Sequence, residues 1–169
     1  MNKTNIVFIG FSGAGKSTIG KKFAQRINYN FVDLDRYFEE KYRSSILNFF
    51  QTNGEEEFRR LEHELLKEVL QQSRCVVACG GGTPCFYNNM ELINLHAISI
   101  YIELPPTSLH QRLLHFKENR PLIKELTSDE LLQYIIVTLE EREPFYKKAN
   151  FTVNGEKIEI STLVKLITE

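Results

Sequence analysis

The stretch Asn5-Ile6-Val7-Phe8-Ile9-Gly10-Phe11-Ser12-Gly13-Ala14-Gly15-Lys16-Ser17-Thr18 decides the fold. The apolar run from Asn5 to Ile9 reads as a strand buried on both faces. It stops at Gly10, where Gly10 to Ser17 matches G-x-x-x-x-G-K-[ST], a phosphate-binding loop. Glycines there let the backbone curl until successive N–H groups face one anion. From Lys16 the pattern turns helical, with Ile19, Phe23 and Ile27 at i, i+4, i+8. That helix would add its positive end to the phosphate site. Gly13, Ala14, Gly15, Lys16, Ser17 and Thr18 are therefore the candidate residues for binding a nucleoside triphosphate. Lys16 is placed to bridge the β- and γ-phosphates, and the Ser17 hydroxyl to ligate Mg²⁺. The plain alternative, a glycine-rich turn beside a surface lysine, does not need the whole pattern in this setting. The loop alone does not distinguish kinases from GTPases or ATPases.

Outward from the loop, short apolar strands alternate with helical patterns. Strands are expected at Asn30–Leu34, Cys75–Cys79, Ala97–Leu104 and Phe151–Val153. Helices are expected at 16–28, 36–42, 45–50, 55–72, 88–95, 107–115, 128–146 and 158–167, with Ser128 capping the seventh of these. Asn53-Gly54 reads as a turn, and the polar segment Lys117–Leu126, interrupted by Pro121, as a mobile loop. Such alternation argues for a parallel sheet with helices on both faces. Its ligands should lie beyond the carboxyl ends of the strands.

Composition narrows the function classes. The 169 residues suit one domain spanning the chain. A formal net charge of -1 gives no bulk positive field for nucleic acid. No apolar run approaches the roughly 18 residues that span a bilayer. The N-terminal apolar stretch is too short for a signal peptide. A cytoplasmic protein with no membrane or nucleic-acid partner is expected, and its size and charge fit a monomer. Cys75, Cys79 and Cys85 cluster in one segment without zinc spacing and read as reduced thiols. The four histidines form no ligand motif.

The second strand ends in Asp33-Leu34-Asp35. On an extended strand, i and i+2 point to one face, so both carboxylates would face the cleft. Asp33 is the candidate for the Mg²⁺ shell and Asp35 for a substrate hydroxyl. A helix cap for the following segment is the alternative reading.

Further motifs follow in order: Gly54-Glu55-Glu56-Glu57-Phe58-Arg59-Arg60-Leu61-Glu62, Gly80-Gly81-Gly82, Asn119-Arg120-Pro121-Leu122, and Arg142-Glu143-Pro144-Phe145-Tyr146. With the loop and the acidic pair, these make the chain resemble a shikimate kinase, a small member of the nucleoside-monophosphate-kinase-like P-loop group. The resemblance implies a three-layer α/β/α P-loop kinase fold of about five parallel strands, with a mobile lid over roughly residues 112–126. It implies ATP-dependent phosphorylation of the 3-hydroxyl of shikimate, with Mg²⁺. It makes Lys16, Asp35 and Arg120 catalytic, with Arg120 a lid arginine that also binds ATP. Asp35, Arg59, Gly80, Gly81, Gly82 and Arg142 become substrate-binding residues, the two arginines clamping a carboxylate. Glu62 would orient Arg59, Phe50 and Phe58 would wall the ring, and Arg112 resembles an adenine-stacking position. Ala78 and Cys79 depart from the small or hydroxylated residues expected before the glycines. Another small-molecule kinase of this fold, for gluconate or a nucleoside monophosphate, and an ATP-binding module without transfer activity are the rival readings.

Overall fold

The computed structural model describes residues 4–116 and 121–168. Five strands form one parallel sheet in the order β2-β3-β1-β4-β5: β1 Asn5–Ile9, β2 Asn30–Asp33, β3 Cys75–Ala78, β4 Ala97–Glu103 and β5 Phe151–Asn154. Every residue of β1 and β3 is buried, as continuous apolar runs require of strands covered on both faces. The helices are α1 Lys16–Ile27, α2 Leu34–Tyr42, α3 Ile46–Leu70, α4 Asn89–His96, α5 Pro106–Phe116, α6 Pro121–Lys124, α7 Ser128–Tyr146 and α8 Ile160–Thr168. They complete a three-layer α/β/α P-loop kinase fold. α1 packs beside α8, α3 beside α4, and α5 beside α7. Phe23 of α1 meets Phe8 edge to face at 5.7 Å, pinning this helix to the central strand.

Register places the site. Phe8 pairs with Ala78, and Ala78 with Asp33. Three neighbouring strands therefore end at one level. The segments leaving them, Gly10–Gly15, Asp33–Asp35 and Cys79–Gly82, emerge side by side at the carboxyl edge. Glycine is demanded at Gly10 by φ 143° and by space, since a Cβ there would lie 2.7 Å from the Ile102 carbonyl oxygen.

Several expectations are corrected. Strand β2 ends at Asp33, so Asp35 lies in the first turn of α2 and alternation along a strand does not aim it. Asp33 is the N-cap, its Oδ1 accepting from the Arg36 N–H at 3.2 Å. The cap of α7 is Thr127, not Ser128. Thr127 and Glu130 exchange side-chain and backbone bonds in a capping box. The segment expected to be a loop throughout contains α6, begun by Pro121 as a first helical residue favours. Ile123 of α6 is buried in the core. At Gly54, φ 83° and ψ 166° break α3 into two pieces, as the turn signal implied.

Candidate active site

A cleft of about 290 Å³ opens at the carboxyl edge between β1, β2 and β3. Its walls include Gly13, Lys16, Ser17, Thr18, Asp33, Asp35, Gly80 and Gly81. The phosphate loop, the acidic pair and the glycine run thus share one space. Gly13 and Gly15 take φ of 84° and 97°, which turn the loop before α1 begins. The Lys16 ammonium is buried and donates to the carbonyls of Gly10 and Phe11 at 2.7 and 2.8 Å. Ser17 Oγ donates to Asp33 Oδ2. Asp33 is therefore both a helix cap and a cleft carboxylate, one oxygen for each task.

Each of the three glycines after β3 has a charged side chain as its nearest neighbour. A Cβ on Gly80 would sit 2.7 Å from Asp35 Oδ1. One on Gly81 would sit 2.9 Å from Arg142 Nη1, and one on Gly82 2.5 Å from Arg59 Nη2. None of the three has positive φ. Here glycine supplies room rather than an unusual backbone angle, letting a carboxylate and two guanidinium groups close on successive residues. Gly81 also abuts the phosphate loop, its would-be Cβ 3.2 Å from the Ser12 nitrogen.

Each charged group is held from its own element. Arg59 and Glu62 are one turn apart on α3, with Nη1 donating to Oε1 at 2.8 Å. Both are buried. Phe86 stacks on the Arg59 guanidinium at 4.1 Å and Phe58 at 5.0 Å. Arg142 lies 5.6 Å from the ring centroid of Phe11 in the phosphate loop. One turn on, Tyr146 is fully buried and donates its hydroxyl to the Gly81 carbonyl. The Arg-x-Pro-x-Tyr spacing thus sends Arg142 and the anchor that ties α7 to the glycine run off one helix face.

Asp35 is half-buried, and its carboxyl is pushed up to about 6, first by burial, then by the carboxylates of Glu62 and Asp33. Lys16 and Arg59 pull the other way without cancelling this. A carboxyl poised near 6 suits proton acceptance at neutral pH. Cys79 also lines the cleft, but burial and then Glu62 push its thiol far above the ordinary range. It stays a protonated, inert group, and all three cysteines are unpaired thiols as expected.

Arg120 lies outside the described residues. Arg112 donates to the carbonyls of Ala14 and Gly155 at 3.2 Å each, bridging the phosphate loop to the turn after β5. Phe50 and Phe58 stand 4.6 Å apart, but Phe58 is core, packed on Phe38 at 4.8 Å. Sequence reasoning missed Thr83, Phe86 and Phe116. Phe116 lines the cleft from the end of α5, and only its position within the expected lid hinted at this.

The family model described as shikimate kinase matches residues 12–169. The shikimate kinase of Bacteroides thetaiotaomicron is 40% identical over 154 residues, covering 91% of this chain and 88% of that protein. The chain belongs to the shikimate kinase family. A shikimate kinase from Chlorobaculum tepidum is 39% identical over 174 residues, covering 99% of this chain and 91% of its own. The crystal structure of the Bacteroides thetaiotaomicron shikimate kinase superposes with a TM-score of 0.94 at 37% identity, covering 98% and 99% of the two chains. That of the Acinetobacter baumannii shikimate kinase, in complex with shikimate, gives 0.84 at 30% identity, covering 99% and 92%. A gluconokinase from Sinorhizobium meliloti reaches 0.59 at 16% identity and shares the fold alone. Membership of the shikimate kinase family makes the chain a kinase that phosphorylates shikimate with ATP.

Proposed function

We propose that the chain, acting as one domain, transfers the γ-phosphoryl group of ATP to the 3-hydroxyl of shikimate across the cleft between the phosphate loop and Gly80–Gly82. The observation that carries this division of labour is the row of three charged groups, Asp35, Arg142 and Arg59, set against three successive glycines. Two guanidiniums suit a carboxylate, and a high-pKa carboxyl suits a hydroxyl about to lose its proton. Arg59 and Arg142 would clamp the shikimate carboxylate, with Gly80, Gly81 and Gly82 offering backbone to the ring hydroxyls. Asp35 would orient the attacking hydroxyl and accept its proton. Gly13, Ala14, Gly15, Lys16, Ser17 and Thr18 would hold the phosphates, with Lys16 and Arg120 countering charge in transfer.

For Mg²⁺, the donor set fits. Ser17 and Asp33 present hard oxygens, already bonded to each other, inside the phosphate cleft. Among the described residues no three His, Cys, Asp or Glu side chains gather into a ligand set. Mg²⁺ needs none, because one or two protein oxygens with phosphates and water complete its shell. Once bound it would neutralise phosphate charge. No helix among the described residues is long and apolar enough to cross a membrane. We read the enzyme as a cytoplasmic monomer without a nucleic-acid partner.

Gly82→Ala tests the row. Gly82 has φ -89° and ψ -14°, which alanine adopts freely, so any loss of stability should come from shifting Arg59 and stay below that of Arg59→Ala. Its methyl would displace Arg59, and the KM for shikimate should rise at least about tenfold. Unchanged KM would remove the steric argument. The reaction itself is tested by coupled ADP release with ATP, Mg²⁺ and shikimate, with gluconate and nucleoside monophosphates in parallel. ADP release that depends on shikimate alone is expected, and release with another acceptor instead would refute the reading.

A further inference from the structure

We propose that Thr83 and Asn89 are positioning residues for the Arg59 guanidinium, acting through Glu62 and closed at the far end by His63. The inference rests on the reading of Arg59 as a carboxylate clamp. Glu62 is 2% exposed and holds two donors, one on each oxygen. Arg59 Nη1 reaches Oε1 at 2.8 Å and Thr83 Oγ1 reaches Oε2 at 2.7 Å. Thr83, fully buried in the 3-10 turn after the glycines, accepts on its carbonyl from Asn89 Nδ2 at 2.8 Å. Asn89, also fully buried, has its Oδ1 2.6 Å from His63 Nδ1.

The directions follow without choice. Asn89's amide nitrogen is committed to Thr83, so its oxygen faces His63. His63 Nδ1 must then carry the hydrogen and donate it. Thr83's hydroxyl must donate to Glu62, which leaves the carboxylate an acceptor from both sides. The network runs from α4 through the 3-10 turn to α3 and ends on Arg59.

A single i,i+3 contact would leave the Glu62 carboxylate able to rotate about its last bond, and with it the Nη1 end of Arg59, since Glu55 reaches only Nε, at 3.4 Å. The bond from Thr83 fixes the carboxylate plane, and so the in-plane position of the guanidinium. Phe86 fixes its height. Precision of this kind in the supporting shell is what a bidentate anion site requires.

A network that merely stapled α3 to α4 would affect stability alone. The test therefore separates kinetic constants. Thr83→Val keeps the side-chain volume and removes the donor. The KM for shikimate should rise about five- to twentyfold, with KM for ATP within about twofold, and Thr83→Ser should restore it. His63→Phe keeps the ring over Tyr87, now 4.9 Å away, and removes only the donor to Asn89. It should raise the same KM about threefold, a readout that stands even if Thr83→Val does not fold. An unmoved shikimate KM in the folded variants, or equal shifts in both KM values, would overturn the proposal. Wild-type turnover of shikimate beside an unmoved Thr83→Val sinks this inference alone. A wild-type protein inert towards shikimate removes the clamp and the inference together.

Discussion

Asp35→Asn is expected to lower kcat by about 10²- to 10⁴-fold while ATP affinity stays near that of the wild type. The variant keeps the Gly10 and Phe11 carbonyls as acceptors for Lys16, so the phosphate loop keeps its shape. The same substitution should stabilise the ligand-free protein. Folding raises the Asp35 pKa from 3.8 to about 6. Between these values the native state binds more protons than the unfolded chain, so stability falls as pH rises through the window. Above about pH 6 the full cost of an ionised Asp35 is present, and asparagine removes it. A gain of about 1–2 kcal/mol at pH 7 is expected, discounted for the group's partial exposure. It should vanish as pH falls towards 4. The kcat/KM of the wild type should fall on the acid side with a midpoint near 6. Near-normal kcat in Asp35→Asn would take Asp35 out of the chemistry. A variant less stable than wild type at pH 7 would contradict the electrostatic account.

Arg59→Ala should destabilise the fold by about 3–5 kcal/mol as well as weaken shikimate binding, because it strands a buried carboxylate. Arg59 and Glu62 side chains are 11% and 3% exposed. Their neighbour pair Arg60–Glu57, at 53% and 41%, provides the control. Arg60→Ala should change stability far less, since exposed pairs are screened. Arg59→Lys keeps a charge for Glu62 but loses the fork, so the KM for shikimate should rise with much less loss of stability. Urea denaturation and steady-state kinetics on the three variants separate these effects. Equal stability losses in Arg59→Ala and Arg60→Ala would mean that Glu62 is not effectively buried.

The fold was legible where one short segment carries its own physics. The β1 run, the loop glycines and the α1 face are local patterns, and their bounds agree with the structure to within a residue. Asp35 was picked out from Asp33-Leu34-Asp35 through a wrong reason. The strand stops at Asp33, which caps α2, and the first turn of α2 carries Asp35 into the cleft. Bonds that join distant segments left no local trace. Tyr146 to Gly81 spans 65 positions, Thr83 to Glu62 spans 21, and His63 to Asn89 spans 26. Gly80–Gly82 was visible as a close-approach signal, but which charge meets which glycine depends on three separate elements. Phe58 reads alike as a ring wall or as core, and packing against Phe38 makes it core.

The central claim is that Arg59 and Arg142 hold an acceptor carboxylate while Asp35 faces its hydroxyl. The most direct measurement compares shikimate with its methyl ester as acceptor, in wild type and in Arg59→Lys. The account predicts that esterification costs the wild type at least about a hundredfold in kcat/KM, and the variant far less, because the fork is already lost. Equal turnover of acid and ester by the wild type would contradict it.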